Sequence, residues 1–200
     1  MRFGSILLLT VGLIGLLPLQ AGEFNKKLSV GDAAPVWKDL PGTDGKTHSL
    51  DDLKGKDVVV LVFTCNSCPI AVDYEDRIIA FTKKYAGKVA VVAVNVNVIE
   101  EDRLPKMQER AKEKGFNFPY LFDESQKIAH DYGATYTPEF FVLNKERKIA
   151  YLGAMDDTSK AAAVKVNYLE AAVDAVLKGE KVAKGETLPR GCLIRFLRKR

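Results

Sequence analysis

The period at which apolar residues recur divides the chain into segments. Asp57–Phe63 reads Asp-Val-Val-Val-Leu-Val-Phe and Val89–Val94 reads Val-Ala-Val-Val-Ala-Val. Unbroken β-branched runs of this length predict strands buried on both faces. Each is followed by a helix. Ile70, Val72, Tyr74, Ile78, Ile79, Phe81 and Tyr85 recur at helical spacing over Pro69–Tyr85, with Gly87 as the stop, and Asp102–Lys114 predicts a charged helix closed by Gly115. Further on, Pro119–Phe122 predicts a short strand and Ser125–Tyr132 a short helix ending at Gly133. Phe140–Leu143 and Lys148–Leu152, joined by Asn144-Lys145-Glu146-Arg147, predict a β-hairpin. The Ala-rich stretch Ala161–Leu177, stopped by Gly179, predicts the last helix, while Val30–Leu53, with its Pro41–Gly45 turn, predicts a small hairpin or extended lead. This order predicts an α/β sandwich, a central sheet with helices on both faces.

The first residues follow a different rule. Met1-Arg2 is a short positive start, Ile6–Leu19 is a fourteen-residue apolar stretch, and Gln20-Ala21-Gly22 supplies small residues suited to cleavage. That is the layout of a secretory signal peptide, and the stretch is shorter than the ~18 to 20 residues a membrane span needs. The expected division is a signal peptide over 1–21, one domain over 22–180 and a basic tail over 181–200. The expected location is periplasmic or extracellular, with a membrane tether if the signal stays uncleaved.

Composition narrows the function classes. The 200 residues are 47% hydrophobic and 28% charged, as in an ordinary single globular domain. The net charge of +4 is concentrated at the end, where Lys178–Arg200 holds eight Lys or Arg against two Glu. No basic face with interleaved aromatics precedes it, so no nucleic-acid partner is expected. The tail is expected to be a solvated end, and membrane contact is expected at most through an uncleaved signal or this tail.

The chemistry sits in the cysteines. There are three, and an odd number cannot close a structural framework. Cys65-Asn66-Ser67-Cys68-Pro69 falls between a predicted buried strand and the following helix, so Cys65 is expected at a helix N-terminus, where free N–H groups and the helix dipole favour a thiolate. One mechanism follows: Cys65 attacks a disulfide and Cys68 attacks the resulting mixed disulfide. Zinc would want four ligands, whereas His48 and His130 stand alone, so no metal and no cofactor are expected. Cys192 follows a polar linker over 178–188. It is a third redox thiol that resolves or relays, a small buried hydrophobe, or a point of dimer formation. Asp156-Asp157 is expected to cap the last helix and form its acidic first turn. Trp37, Phe63, Phe81 and Phe141 are expected in the core or pocket wall, and His130 on the surface.

The stretch Val-Phe-Thr-Cys65-Asn-Ser-Cys68-Pro, followed by Tyr132-Gly-Ala-Thr-Tyr-Thr137-Pro138-Glu-Phe-Phe-Val-Leu, resembles the thioredoxin-fold redoxin family, related to alkyl hydroperoxide reductase and thiol-specific antioxidant proteins. The resemblance runs from Val30 to Gly179, and the Cys192 ending and Gly153-x-x-Asp156-Asp157 resemble an exported subgroup. It implies a thioredoxin-like three-layer sandwich with a mixed central sheet. It implies a thiol-disulfide oxidoreductase with Cys65 and Cys68 catalytic, acting on protein disulfides or thiols and served by a redox-partner protein. Thr137 and Pro138 match the family's cis-proline site, which with Asn66 and Ser67 would bind substrate. Three rival readings meet the same residues. A thiol peroxidase wants a proline seven residues, and a Thr or Ser three residues, before its reactive Cys, and neither count succeeds from Cys65 or Cys68. A copper-binding redoxin wants three residues between its cysteines, where this chain has two. A redox-dead scaffold would not need both Cys and Thr137-Pro138. The proton acceptor stays unassigned, with Asp57 as one option.

Overall fold

The computed structural model describes residues 22–198, so the predicted signal peptide lies outside it. A two-residue pair, β1 (Leu40–Pro41) and β2 (Thr47–His48), flanks the turn at Gly42–Lys46, and a 3-10 turn over Leu50–Leu53 follows. Then come β3 (Val58–Phe63), α1 (Pro69–Lys84), β4 (Val89–Asn95), α2 (Leu104–Lys114), β5 (Tyr120–Phe122) and α3 (Lys127–Tyr132). The chain ends in β6 (Tyr136–Thr137), β7 (Glu139–Leu143), β8 (Ile149–Gly153), α4 (Tyr168–Leu177) and β9 (Cys192–Leu193).

Five strands form one mixed sheet in the order β5-β4-β3-β7-β8. β3, β4 and β5 run parallel, while β7 is antiparallel to β3 and to β8. All six residues of β3 are buried, because the strand is central and both its faces are covered. Val58, Val60 and Val62 pack with Tyr74, Ile78 and Phe81 of α1 and Leu169, Ala172 and Val173 of α4. Val59, Leu61 and Phe63 meet Ile128, Ala129 and Tyr132 of α3, with Trp37 and Phe141. This is the expected three-layer α/β sandwich. α1 starts with Pro69, whose missing N–H costs nothing in a first turn, and carries Lys83 and Lys84 in its last turn, where cations suit the helix dipole.

Two expectations need correction. The last helix begins at Tyr168, not Ala161: Ala161–Ala163 is a 3-10 turn, and the chain is extended at Val164. Asp157 holds it so, accepting the Lys165 N–H at 3.0 Å while its own N–H bonds the Val166 carbonyl at 3.1 Å. Asp156 is therefore no helix cap. Fully buried, it accepts from the Tyr74 hydroxyl at 2.8 Å and pairs with Arg77, whose guanidinium lies 3.6 Å above the Tyr74 ring.

The second correction concerns the tail, which is anchored rather than a solvated end. Thr187 is buried, bonding the Tyr151 hydroxyl at 2.6 Å and accepting the Ala154 N–H at 2.9 Å. Its carbonyl would lie 2.2 Å from a Cβ on Gly153, which has φ +134°, so only glycine fits there. Glu186 accepts the N–H groups of Glu23, Phe24 and Asn25 at 2.7 to 2.8 Å, tying the start of the domain to the tail.

Candidate active site

β3 and β4 end together at one edge of the sheet, the side where open α/β folds leave loop residues available for chemistry. Thr64 still donates to the Val94 carbonyl at 3.0 Å; the chain then leaves the sheet at Cys65, turns through Asn66 and Ser67, and starts α1 with Cys68 as N-cap. From the other side come Thr137 and Pro138, joined by a cis peptide bond. Cys65 Sγ lies 3.4 Å from Thr137 Oγ1 and 3.7 Å from Ser67 Oγ. Cys68 Sγ accepts the Ala71 N–H at 3.4 Å and lies 3.3 Å from the Thr137 carbonyl, a contact to which the reduced thiol could donate.

The third cysteine completes the group. Cys68 is bonded to Cys192, with Cα atoms 6.0 Å apart, and Cys65 is a free thiol beside them. The cysteines and substrate-site candidates named from the sequence, Cys65, Asn66, Ser67, Cys68, Thr137, Pro138 and Cys192, thus lie in one place. The expectation that Cys65 occupies the helix N-terminus is corrected: Cys68 does. Cys65 is 3% exposed, and burial followed by the nearby Asp102 carboxylate pushes its thiol above the ordinary range. A low-pKa thiol at Cys65 is therefore not a property of this form.

Asp102 was not legible as a site residue. It is fully buried and accepts the backbone N–H groups of Asn66 at 2.7 Å and Ser67 at 3.0 Å, the Ser67 hydroxyl at 2.5 Å and the Asn97 amide at 3.2 Å. Asn95 donates to its backbone carbonyl at 3.0 Å. Asn66 in turn donates to the Glu101 carbonyl and accepts from Tyr120, so the side chains between the cysteines serve to hold the turn. A signal existed: Asn95 and Asn97 interrupt an apolar strand at alternate positions, at its C-terminal end. Asp57, the option named for proton acceptor, sits at the other end of β3 beside Lys145. Glu139, buried directly after Pro138, accepts the N–H groups of Thr135 at 2.8 Å and Tyr136 at 3.0 Å, and burial pushes its carboxyl up to about 7.

Fold and site define a thioredoxin-fold oxidoreductase of the thiol-disulfide kind. The family model "Redoxin" matches residues 29–172, and the chain belongs to that family. Similar proteins include the thiol-disulfide oxidoreductase ResA of Bacillus thuringiensis, 32% identical over 72% of this chain and 81% of that protein. ResA of Geobacillus thermodenitrificans is 29% identical over 72% and 80% respectively. Among solved structures, a hypothetical protein from Sinorhizobium meliloti superposes with a TM-score of 0.80 at 35% identity, over 86% of this chain and 96% of that one.

Proposed function

We propose that the protein is an exported thiol-disulfide oxidoreductase that exchanges disulfides with protein substrates through Cys65 and Cys68, with Cys192 as a third redox thiol. The observation that carries this reading is the meeting of a free thiol, a disulfide and the cis-Pro138 turn at one sheet edge. In the dithiol form, Cys65 thiolate attacks a substrate disulfide. Cys68 then attacks the mixed disulfide, forming Cys65–Cys68 and releasing the substrate as a dithiol. Thr137 Oγ1 stands at hydrogen-bonding distance from Cys65 and can donate to its thiolate. A redox-partner protein returns the enzyme to the dithiol form. The signal-peptide pattern read over 1–21 supports export to the periplasm or outside the cell, where disulfides persist.

The test is a redox titration, counting alkylated thiols by mass. A reversible step at roughly −120 to −270 mV is expected for a catalytic pair; a disulfide that persists below about −300 mV would overturn the reading in favour of a structural bond. Cys65→Ser should abolish protein disulfide reduction, and Cys68→Ser should accumulate mixed disulfides on Cys65. Undiminished activity in Cys65→Ser would contradict the assignment.

A further inference from the structure

The tail does more than bring a sulfur to the site: it lies across it as a strand. β9 pairs antiparallel with β6, Leu193 opposite Tyr136 and Cys192 opposite Thr137. Ile194 donates to the Thr135 carbonyl at 2.8 Å. Beyond the pairing, side chains take over. Arg195 donates to Asn97 Oδ1 at 2.9 Å, Leu197 donates to Gln126 Oε1 at 2.8 Å, and Gln126 Nε2 returns a bond to the Arg195 carbonyl at 3.0 Å. Gln126 is buried and held at φ +61°, an uncommon conformation for a residue with a side chain. Alternate tail residues face inward: Ile194 is buried in the core and Phe196 stacks on His130 at 4.4 Å, while Leu193, Arg195 and Leu197 face out.

These contacts read mainly backbone, and two positions read side chains. A Cβ on Gly191 would lie 2.0 Å from the Thr137 carbonyl oxygen, so the residue before the cysteine must be glycine. Two residues after the cysteine, an aliphatic side chain fills the core site of Ile194. With the tail in place Cys65 and Cys68 are 3% and 2% exposed, which leaves little of either sulfur open to a partner.

We propose that residues 189–197 are a tethered occupant of the groove in which this protein takes extended, cysteine-bearing segments of partner proteins, and that Cys65 evicts the tail by internal disulfide exchange. This rests on the oxidoreductase reading above. Cys65 thiolate attacks Cys68 Sγ; the Cys65–Cys68 bond forms and the Cys68–Cys192 bond breaks. Cys192 leaves as a thiolate and takes up a proton in place of the one Cys65 gave up, so no electrons are gained or lost. Freed of its covalent hold, the tail departs, and the β6 edge, Asn97 and Gln126 are left for a partner strand. The segment that fits has glycine before its cysteine and an aliphatic residue two positions after.

The oxidised protein has one free thiol, so the position of an iodoacetamide label, mapped by mass, reports the exchange. The label is expected on Cys192 over Cys65 by roughly tenfold, since Cys65 is buried, with the labelled fraction rising with pH and the tail becoming protease-sensitive in step. Gly191→Ala, which crowds the Thr137 carbonyl and alters no cysteine, should speed labelling roughly tenfold. A label confined to Cys65, or an unchanged rate in Gly191→Ala, would overturn the eviction. For the groove, Cys192→Ser protein is offered the peptides Gly-Cys-Leu-Ile-Arg-Phe and Ala-Cys-Leu-Ile-Arg-Phe as activated disulfides. Capture of the first should be faster by roughly tenfold, since the second must displace backbone; equal capture rejects the partner class. Protein disulfide reduction by the parent is measured beside these. Its absence with the label on Cys192 defeats the oxidoreductase reading and leaves the exchange itself supported; its presence with the label on Cys65 does the reverse.

Discussion

Asp102 is a buried carboxylate whose partners are neutral donors, so its charge is spread by hydrogen bonds rather than cancelled by a cation. Burial first, and then the field of this carboxylate, push the Cys65 thiol up. Asp102→Asn retains an acceptor for the Asn66 and Ser67 amides while removing the charge. The expected outcome is a lower pH midpoint for Cys65 alkylation, measured in the Cys192→Ser background; an unmoved midpoint would contradict the electrostatic role. Glu139 acts on stability. With its carboxyl pushed up to about 7 from an ordinary 4.5, the folded state holds a proton that the unfolded state has already lost. Its contribution is therefore fully present below about pH 4.5 and is lost as pH rises through about 7. The loss amounts to as much as about 3 kcal/mol, at ~1.4 kcal/mol per pH unit. Glu139→Gln should flatten denaturant-measured stability across this window, and an identical slope in the variant would refute the assignment.

Elements with a local period were legible in the sequence, and those made by distant partners were not. β3, β4 and the β7–β8 hairpin follow from unbroken apolar runs and a four-residue turn, and α1 from its apolar spacing. The sequence predicts α4 seven residues too long because alanine favours helix wherever nothing competes, and here Asp157 competes by hydrogen-bonding the backbone of Lys165 and Val166. β6 and β9 are two residues each and owe their strand form to one another across the chain. The redox turn was legible as Cys-x-x-Cys, whereas its support from Asp102 needed the fold. Asp156 shows what such distant ties are worth. Asp156→Ala would leave Arg77 without its carboxylate and should lower unfolding stability by about 3 to 5 kcal/mol, the range for breaking a buried pair. A loss below about 1 kcal/mol would place the pair with exposed ones.

At the scale of the whole molecule the tail closes the structure on itself. Glu186 gathers three amides from residues 23–25, Thr187 bonds the Tyr151 hydroxyl of β8, and Cys192 reaches across 124 residues to Cys68. In the chain-entropy model a loop of 124 residues is worth about 5 kcal/mol, so reduction or Cys192→Ser should lower the unfolding free energy by up to that amount. Amide exchange should rise first at residues 194–197. Protection there that survives reduction would show that hydrogen bonds alone hold the tail. The same separation orders events during synthesis. A chain is made N-terminus first at ~5 to 20 residues per second, so Cys65 and Cys68 are complete some seconds before Cys192 exists. Wherever the chain meets an oxidant, Cys65–Cys68 is the one intrachain pairing that does not wait for Cys192, while the bond of the finished molecule does.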